Sequence, residues 1–143
     1  MRIADVLRGK GTAVATVRPD ATVTDLLAAL AENNIGAMVV VDLTGAIAGM
    51  VSERDVVRRL NDHGPDVLNY PVDQIMTPVV ATCGMDSSVD DLSELMTENR
   101  VRHIPVLAGG RLAGIVSIGD VVKTRMEELK TERQQLQAYI TQG

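Results

Sequence analysis

The chain has 143 residues, a formal net charge of −5 and a hydrophobic content of 45%, with no Phe or Trp and only two Tyr. This balance excludes the usual nucleic-acid-binding modules, which need a basic face or aromatic platforms for base stacking. A single cysteine, Cys83, excludes an internal disulfide and a cysteine-rich zinc site, and we expect its thiol to be buried and inert.

The predicted elements of the first half alternate between strands and helices. In order they are a short helix or lead-in at 3–7, a strand at 14–17, a helix capped by Thr22 and ended by Asn33 and Asn34, strands at 38–41 and 47–51, and a helix closed at 61–65. Residues 1–7 lack the apolar core of a signal peptide, and no stretch reaches the ~18 apolar residues of a membrane span. We therefore expect a cytoplasmic protein without membrane contacts.

The same order of elements recurs in the second half. The phrase AGMVSERDVV at 48–57 returns as AGIVSIGDVV at 113–122, with seven of ten positions identical, and the strand at 14–16 returns at 80–82. A lone half of this size would leave much of its apolar face bare, so we expect the halves to pack with near two-fold symmetry. The sequence predicts an α/β (α+β) fold of two β-α-β-β-α repeats, at 1–65 and 66–124, followed by an amphipathic helix at 125–143.

Each copy of the repeated phrase predicts a buried strand that passes directly into a helix. Ser52 and Ser117 stand where helix N-caps belong, and Asp55 and Asp120 stand three residues later, where a capping-box acid belongs. An acid at this position is also placed to accept both hydroxyls of a ribose. The residues alone leave both interpretations open.

No catalytic constellation is present in the sequence. His63 and His103 are 40 residues apart, and no spacing organises a nucleophile with a base. Walker loops, GxGxxG and HExxH motifs are absent, so we expect neither an enzyme nor a metal site.

The C-terminal segment carries apolar residues at alternating spacings of four and three, interrupted by one arginine. The stripe consists of Val122, Met126, Leu129, Arg133, Leu136 and Ile140. We expect a helix that either folds back onto its own chain or pairs with a second copy. Because the stripe spans under three heptads, it would reinforce a dimer made elsewhere rather than form one alone.

Together these residues resemble a tandem pair of CBS domains (named for cystathionine β-synthase), often called a Bateman module. The motifs that carry the resemblance are IMTP at 75–78, VRHIPV at 101–106 and the two Gly-x-Val-Ser-x-x-Asp phrases, and the similarity covers residues 1 to about 124. The resemblance implies two clefts between the halves that receive AMP, ADP, ATP or another adenosyl ligand, with S-adenosylmethionine and NADH as further candidates. It also implies a homodimer formed through helices.

The resemblance further implies roles for particular residues. Asp55 and Asp120 would hold ribose hydroxyls, while Ser52 and Ser117 would face the sugar or phosphate. The first-strand residues Thr16 and Thr82 would approach the base.

Charge is expected to differ between the two halves. Arg102 and His103 match the family's cationic pair and would clamp a phosphate, whereas the corresponding positions of the first half are Gly36 and Ala37. We therefore expect the cleft of Asp120 to prefer a phosphorylated ligand, and the other cleft to stay empty or take an uncharged adenosyl group. Arg54, on the helix after Ser52, could instead supply charge across the pseudo-two-fold axis.

The sequence thus predicts a regulatory protein that senses an adenosyl ligand and alters its helix packing, its dimer or its contact with an unknown effector protein. The alternative is a constitutive dimeric scaffold with vestigial clefts, in which the C-terminal helix is the surface for partners.

Overall fold

The computed structural model of the protein describes residues 1–11 and 13–142. It contains helices α1 to α5 and strands β1 to β6. In chain order they are α1 (Ile3–Lys10), β1 (Thr16–Val17), α2 (Val23–Asn33), β2 (Ala37–Val41), β3 (Ile47–Ser52), α3 (Glu53–His63), the 3₁₀ helices Pro65–Asn69 and Val72–Gln74, β4 (Cys83–Gly84), α4 (Val89–Asn99), β5 (His103–Ala108), β6 (Arg111–Ser117) and α5 (Ile118–Gln142). This confirms the predicted α/β class and the duplicated order of elements.

The strands form two three-stranded sheets of the same topology. In each sheet the first strand is parallel to the second, and the third pairs antiparallel with the second, in the orders β1-β2-β3 and β4-β5-β6. The strand predicted at 80–82 is wrong, because β4 begins only at Cys83. The residue of β5 that would face Thr82 is Pro105, which has no N–H to donate, whereas its counterpart Val39 pairs with Thr16.

Serine and threonine caps begin the helices where the sequence predicts them. The hydroxyls of Thr22 and Ser52 accept the backbone N–H of Asp25 and Asp55, and Ser117 accepts that of Asp120 in the same way. These bonds satisfy N–H groups that a helix start leaves free, which explains why each strand can pass into a helix without a loop.

The segment that precedes each repeat packs in the core of the other repeat. Ile3, Val6 and Leu7 of α1 belong to the core built on β4, β5, β6 and α4, whereas 67–75 belongs to the core built on β2, β3, α2 and α3. Matched hydrogen bonds fix both attachments: Ile3 N–H donates to Ser87 O at 2.8 Å, and Val72 N–H donates to Ala21 O at 2.7 Å. The exchange ties the halves together and gives the pair its pseudo-two-fold symmetry.

The C-terminal helix is continuous with the second repeat. α5 runs for 25 residues from Ile118, about 37 Å, so the predicted boundary at 124/125 falls inside one helix. Arg125 joins α5 to Asp90 of α4 at 2.9 Å, and the amino group of Met1 joins it to Glu128 at 3.3 Å. Beyond Glu128 the helix is exposed up to Gln142, and Gly143 lies outside the described residues. Within the described part of the chain, no helix combines the length and hydropathy that a membrane crossing requires.

Candidate functional site

A cleft of about 420 Å³ opens between the two halves at the start of α3. Its walls come from both repeats and from the segment that connects them. The lining residues are Gly36, Ala37, 50–55, 77–81 and 100–103. The volume lies within the range of pockets that hold small molecules and cofactors.

The floor of the cleft is the junction of β3 and α3. The Asp55 carboxylate turns back onto Ser52, where its Oδ2 accepts the backbone N–H at 2.8 Å and the hydroxyl at 3.1 Å. Neither oxygen of Asp55 forms an ion pair with a described residue. The carboxylate is partly exposed and faces the start of a helix, so it can accept hydroxyl groups from a ligand.

The connecting segment passes across the end of β3 and forms one wall. Thr77 and Met50 exchange two backbone hydrogen bonds of 2.9 Å, and a Cβ on Gly49 would lie 2.6 Å from the Thr77 carbonyl oxygen. Gly49 therefore allows the close approach that brings residues 77–81 over the cleft. Because Pro78 favours extended backbone before it, the segment leaves the strand edge rather than coiling.

Three arginines converge on this cleft although the chain as a whole is acidic. Arg54 comes from the first half, and Arg100 and Arg102 come from the second half. None of the three forms an ion pair with a carboxylate of the described residues. Glu53 and Asp55 are the acids of the lining, so guanidinium groups outnumber carboxylates there. The cleft is suited to an anionic group, since guanidinium binds phosphate with paired hydrogen bonds.

Arg100 holds a backbone conformation that is unfavourable for arginine. It caps the C-terminus of α4 in the left-handed region, with φ +54°, and the equivalent position in the first half is Asn34, with φ +51°. Asparagine tolerates this region better than a long side chain does. The strain falls at a residue that lines the cleft, which is where functional sites often keep it.

His103 lies half-buried at the inner edge of the cleft. Burial lowers the pKa of its imidazole below the ordinary value of 6.5, and the nearby Lys10 and Arg102 lower it further against the opposing effect of Asp120. The lowered pKa disfavours the protonated imidazole, so the arginines supply most of the positive charge of the cleft.

The second junction repeats the geometry of the first but has different surroundings. Asp120 Oδ2 accepts the backbone N–H of Ser117 at 2.9 Å and its hydroxyl at 3.0 Å. The Lys10 ammonium donates to the same oxygen at 2.6 Å and to the Ile115 carbonyl at 2.8 Å. Burial would raise the pKa of Asp120, but the hydrogen bonds from Lys10 and Ser117 bring it below its usual value.

The structure brings five of the nine predicted site residues into one cleft. These are Ser52, Arg54, Asp55, Arg102 and His103. Thr82 lies one residue beyond the lining, which ends at Ala81, while Thr16 lines a separate groove between the β2–β3 and β5–β6 turns.

The expectation that Arg102 and His103 distinguish the cleft of Asp120 stays a prediction. Both residues line the cleft of Asp55, although their backbone is attached to the second junction by the bond from the Ile118 N–H to the Arg102 carbonyl (2.8 Å). The segment before β5 runs between the two junctions, and His103 lines the first cleft while also lying near Lys10 and Asp120 of the second junction. The cleft of Asp55 therefore receives positive charge from both halves, from Arg54 of the first and from Arg100 and Arg102 of the second.

Sequence reasoning did not identify Arg100 or the segment 77–81 as parts of the site. Thr77 and Pro78 stood out as a motif, but nothing local indicates that they cross to the opposite half. For Arg100, the signal was an arginine at the position where a helix needs a left-handed cap.

Two other predictions concern reactive groups. Cys83 is buried, and burial raises the pKa of its thiol to about 11, as expected of an inert cysteine. Among the described residues, no three His, Cys, Asp or Glu side chains are grouped as a metal site would require.

The fold is a pair of repeats with a cleft between them, and comparison with known proteins identifies the family. The CBS domain model matches twice, at residues 5–62 and 72–127, and the chain belongs to the CBS-domain family. It is 37% identical to the mitochondrial CBS domain-containing protein CBSX3 of Arabidopsis thaliana, over 99% of this chain and 72% of that protein. It is 44% identical to the crystal structure of ATU1752 from Agrobacterium tumefaciens, with a TM-score of 0.83 over 87% of this chain and 92% of the other.

A more distant structure shares the fold alone. It is the CBS domain pair of protein MJ0100 in complex with 5′-methylthioadenosine and S-adenosyl-L-methionine. That pair is 22% identical, with a TM-score of 0.79 over 90% of this chain and 98% of the other.

Proposed function

We propose that this protein is a regulatory CBS pair that binds a phosphorylated adenosyl ligand, such as AMP, ADP or ATP, in the cleft between its halves. The observation that carries the proposal is the convergence of Arg54, Arg100 and Arg102 around Ser52 and Asp55. Asp55 receives the ribose hydroxyls, and the arginines neutralise the phosphate.

The carboxylate and the arginines have different roles because their chemistry differs. A carboxylate accepts hydrogen bonds and repels phosphate, so Asp55 selects the neutral, hydroxyl-bearing part of the ligand. The guanidinium groups have no carboxylate partner to lose, so a phosphate binds them without first breaking an ion pair.

The adenosyl class is supported by the family and by one fold relative. The MJ0100 pair is described with 5′-methylthioadenosine and S-adenosyl-L-methionine, neither of which carries a phosphate. The arginines of the present cleft favour a phosphorylated member of the same class. S-adenosylmethionine and NADH stay in the panel of candidates.

The response to the ligand involves a homodimer formed through helices. Val57 of α3 and Val122 of α5 occupy equivalent positions and are 64% and 51% exposed, and the stripe from Val122 to Ile140 is uncovered in the monomer. A second copy of the chain presents the same surfaces and can cover them. Because α3 begins at Ser52, ligand in the cleft changes the position of a dimer helix if it binds one helix arrangement better than another.

Isothermal titration calorimetry with AMP, ADP, ATP, S-adenosylmethionine and NADH tests the binding proposal. We expect one of the phosphorylated ligands to bind, and Arg102→Gln to weaken it roughly tenfold or more, as loss of a charged hydrogen bond does. Arg111→Gln, which removes the same charge at an exposed hairpin position outside the cleft, is the matched control. Equal affinities in the two variants, or no binding by any of the five compounds, would contradict the proposal.

The alternative is a constitutive dimeric scaffold, and the exposed stripe of α5 is the observation that favours it. Light scattering and small-angle X-ray scattering with and without the bound nucleotide separate the two functions. A regulatory protein changes its assembly or shape with ligand, whereas a scaffold is dimeric and unchanged. The family model that matches residues 5–62 and 72–127 is the CBS domain, and we propose that the protein has a role without catalysis in the cytoplasm.

A further inference from the structure

Lys10 occupies the second junction in a way that has no counterpart at the first. At the first junction the Met50 carbonyl accepts the backbone N–H of Thr77 at 2.9 Å. At the second, the equivalent carbonyl of Ile115 accepts the Lys10 ammonium at 2.8 Å, and the same ammonium reaches Asp120 at 2.6 Å. A charged side chain thus stands where the other half uses a main-chain segment.

The position of Lys10 follows from the length of α1. The 3₁₀ helix before the second repeat has three residues (Val72–Gln74), whereas α1 has eight and ends at Lys10. Ile3 and Leu7 are buried in the second core, and a Cβ on Gly114 would lie 2.9 Å from the Leu7 side chain. Lys10 is therefore presented to Asp120 from a packed helix rather than from a loose terminus.

The Lys10–Asp120 pair competes with a ribose hydroxyl for Asp120 Oδ2, which already accepts hydrogen bonds from Lys10 and Ser117. A hydroxyl that donates to Asp120 Oδ2 must replace a charge-assisted hydrogen bond, which is about twice as strong as a neutral one. Asp55 imposes no such cost, because none of the described ion pairs includes it.

We propose that Lys10 is an internal counter-ion that keeps the second junction from accepting the ribose of an adenosyl ligand, so that the protein binds its first ligand at Asp55 alone. This inference rests on the proposed function. The Lys10 ammonium group would thus account for the difference in ligand binding between the two junctions. The second junction could bind a ligand only after the end of α1 moves.

Calorimetric titration of the full chain with AMP and with adenosine tests the inference. We expect a stoichiometry of one AMP per chain for the wild type and of two for Lys10→Met, with the second equivalent lost again in Lys10→Met/Asp120→Asn. Adenosine should show at least a tenfold gain in affinity at the second site on removal of Lys10. Lys10→Arg, which keeps the positive charge, should behave as the wild type does, and Lys123→Met on the exposed face of α5 is the control for loss of charge.

Three results would overturn the inference. One is a stoichiometry that stays at one in Lys10→Met while melting temperature and circular dichroism show a folded protein. Another is two AMP per wild-type chain with the second lost in Lys10→Met, which would make Lys10 a phosphate ligand. The third is absence of AMP binding in every variant, which would refute the proposed function as well only if ADP and ATP also fail to bind, whereas the first two leave binding at Asp55 intact.

Discussion

The two strand–helix junctions have the same internal geometry and different surroundings. The bonds from the serine N–H to the aspartate measure 2.8 and 2.9 Å, and those from the serine hydroxyl measure 3.1 and 3.0 Å. The first junction faces three arginines and a connecting segment, whereas the second faces Lys10. The Ser-x-x-Asp motif therefore sets the start of a helix in both halves, and we propose that the segment lying across it decides whether a ligand can bind.

The largest expected difference between the junctions lies in their glycines. Gly49→Ala should lower the free energy of unfolding by about 3 kcal/mol, because the new methyl group meets the backbone oxygen of Thr77 at 2.6 Å. Gly114→Ala should cost about 1 kcal/mol, because it meets the Leu7 side chain, which can shift. Urea denaturation of both variants measures the difference. Equal losses would show that the two crossing segments are equally rigid.

The serine caps should be equivalent for stability and unequal for binding. Ser52→Ala and Ser117→Ala should each cost about 1 kcal/mol, the usual price of a lost N-cap. Only Ser52→Ala should also weaken AMP binding at the first cleft, because Ser52 lines that cleft and orients Asp55. Thermal melts and calorimetry on the same samples test both statements. A loss of first-cleft affinity in Ser117→Ala would show that the junctions are coupled.

Substitutions at the helix C-caps before β2 and β5 should have smaller effects on stability, and one of them should be stabilising. Arg100→Gly should stabilise the fold by about 0.5–1 kcal/mol, because glycine adopts the left-handed region without strain. Asn34→Gly should change the free energy of unfolding by only a small fraction of that amount, since asparagine already tolerates the conformation. Arg100→Gly should at the same time weaken AMP binding. If the variant gains stability and keeps full affinity for AMP, Arg100 does not take part in binding.

The repeat made most of the fold predictable from the sequence. Ser52 and Ser117 located the helix starts, and Asn34 located a helix end, because capping depends on neighbouring residues. The strand at 80–82 was wrong because its pairing depends on Pro105, which is distant in the sequence.

The site was less predictable because it is assembled from segments that exchange between halves. Ser52, Arg54 and Asp55 were recognisable as a group, but the other two arginines come from beyond residue 99, and Lys10 meets Asp120 across 110 positions. Such contacts depend on how the leading segments cross, which local patterns do not encode. The prediction of two differently charged clefts stays a prediction, and the structure adds that Arg102 lines the cleft of Asp55.

The smallest expected effect separates the halves by pH. His103 has no titratable counterpart, since the equivalent residue of the first half is Ala37. Because the folded-state pKa of His103 lies below 6.5, the unfolded chain takes up a proton first as the pH falls. Its contribution to stability is therefore complete above pH 6.5 and is lost as the pH falls below that value toward the folded-state pKa.

Urea denaturation between about pH 8 and pH 5 should show this loss in the wild type and a flatter profile in His103→Gln, which retains the polar side chain without titrating in this range. Asp120 does not contribute in this window, because its lowered pKa places its own loss of stability below its usual value of 3.8. A variant profile as steep as that of the wild type would show that His103 is not the source of the pH dependence. The pH dependence of stability would then no longer distinguish the second half from the first.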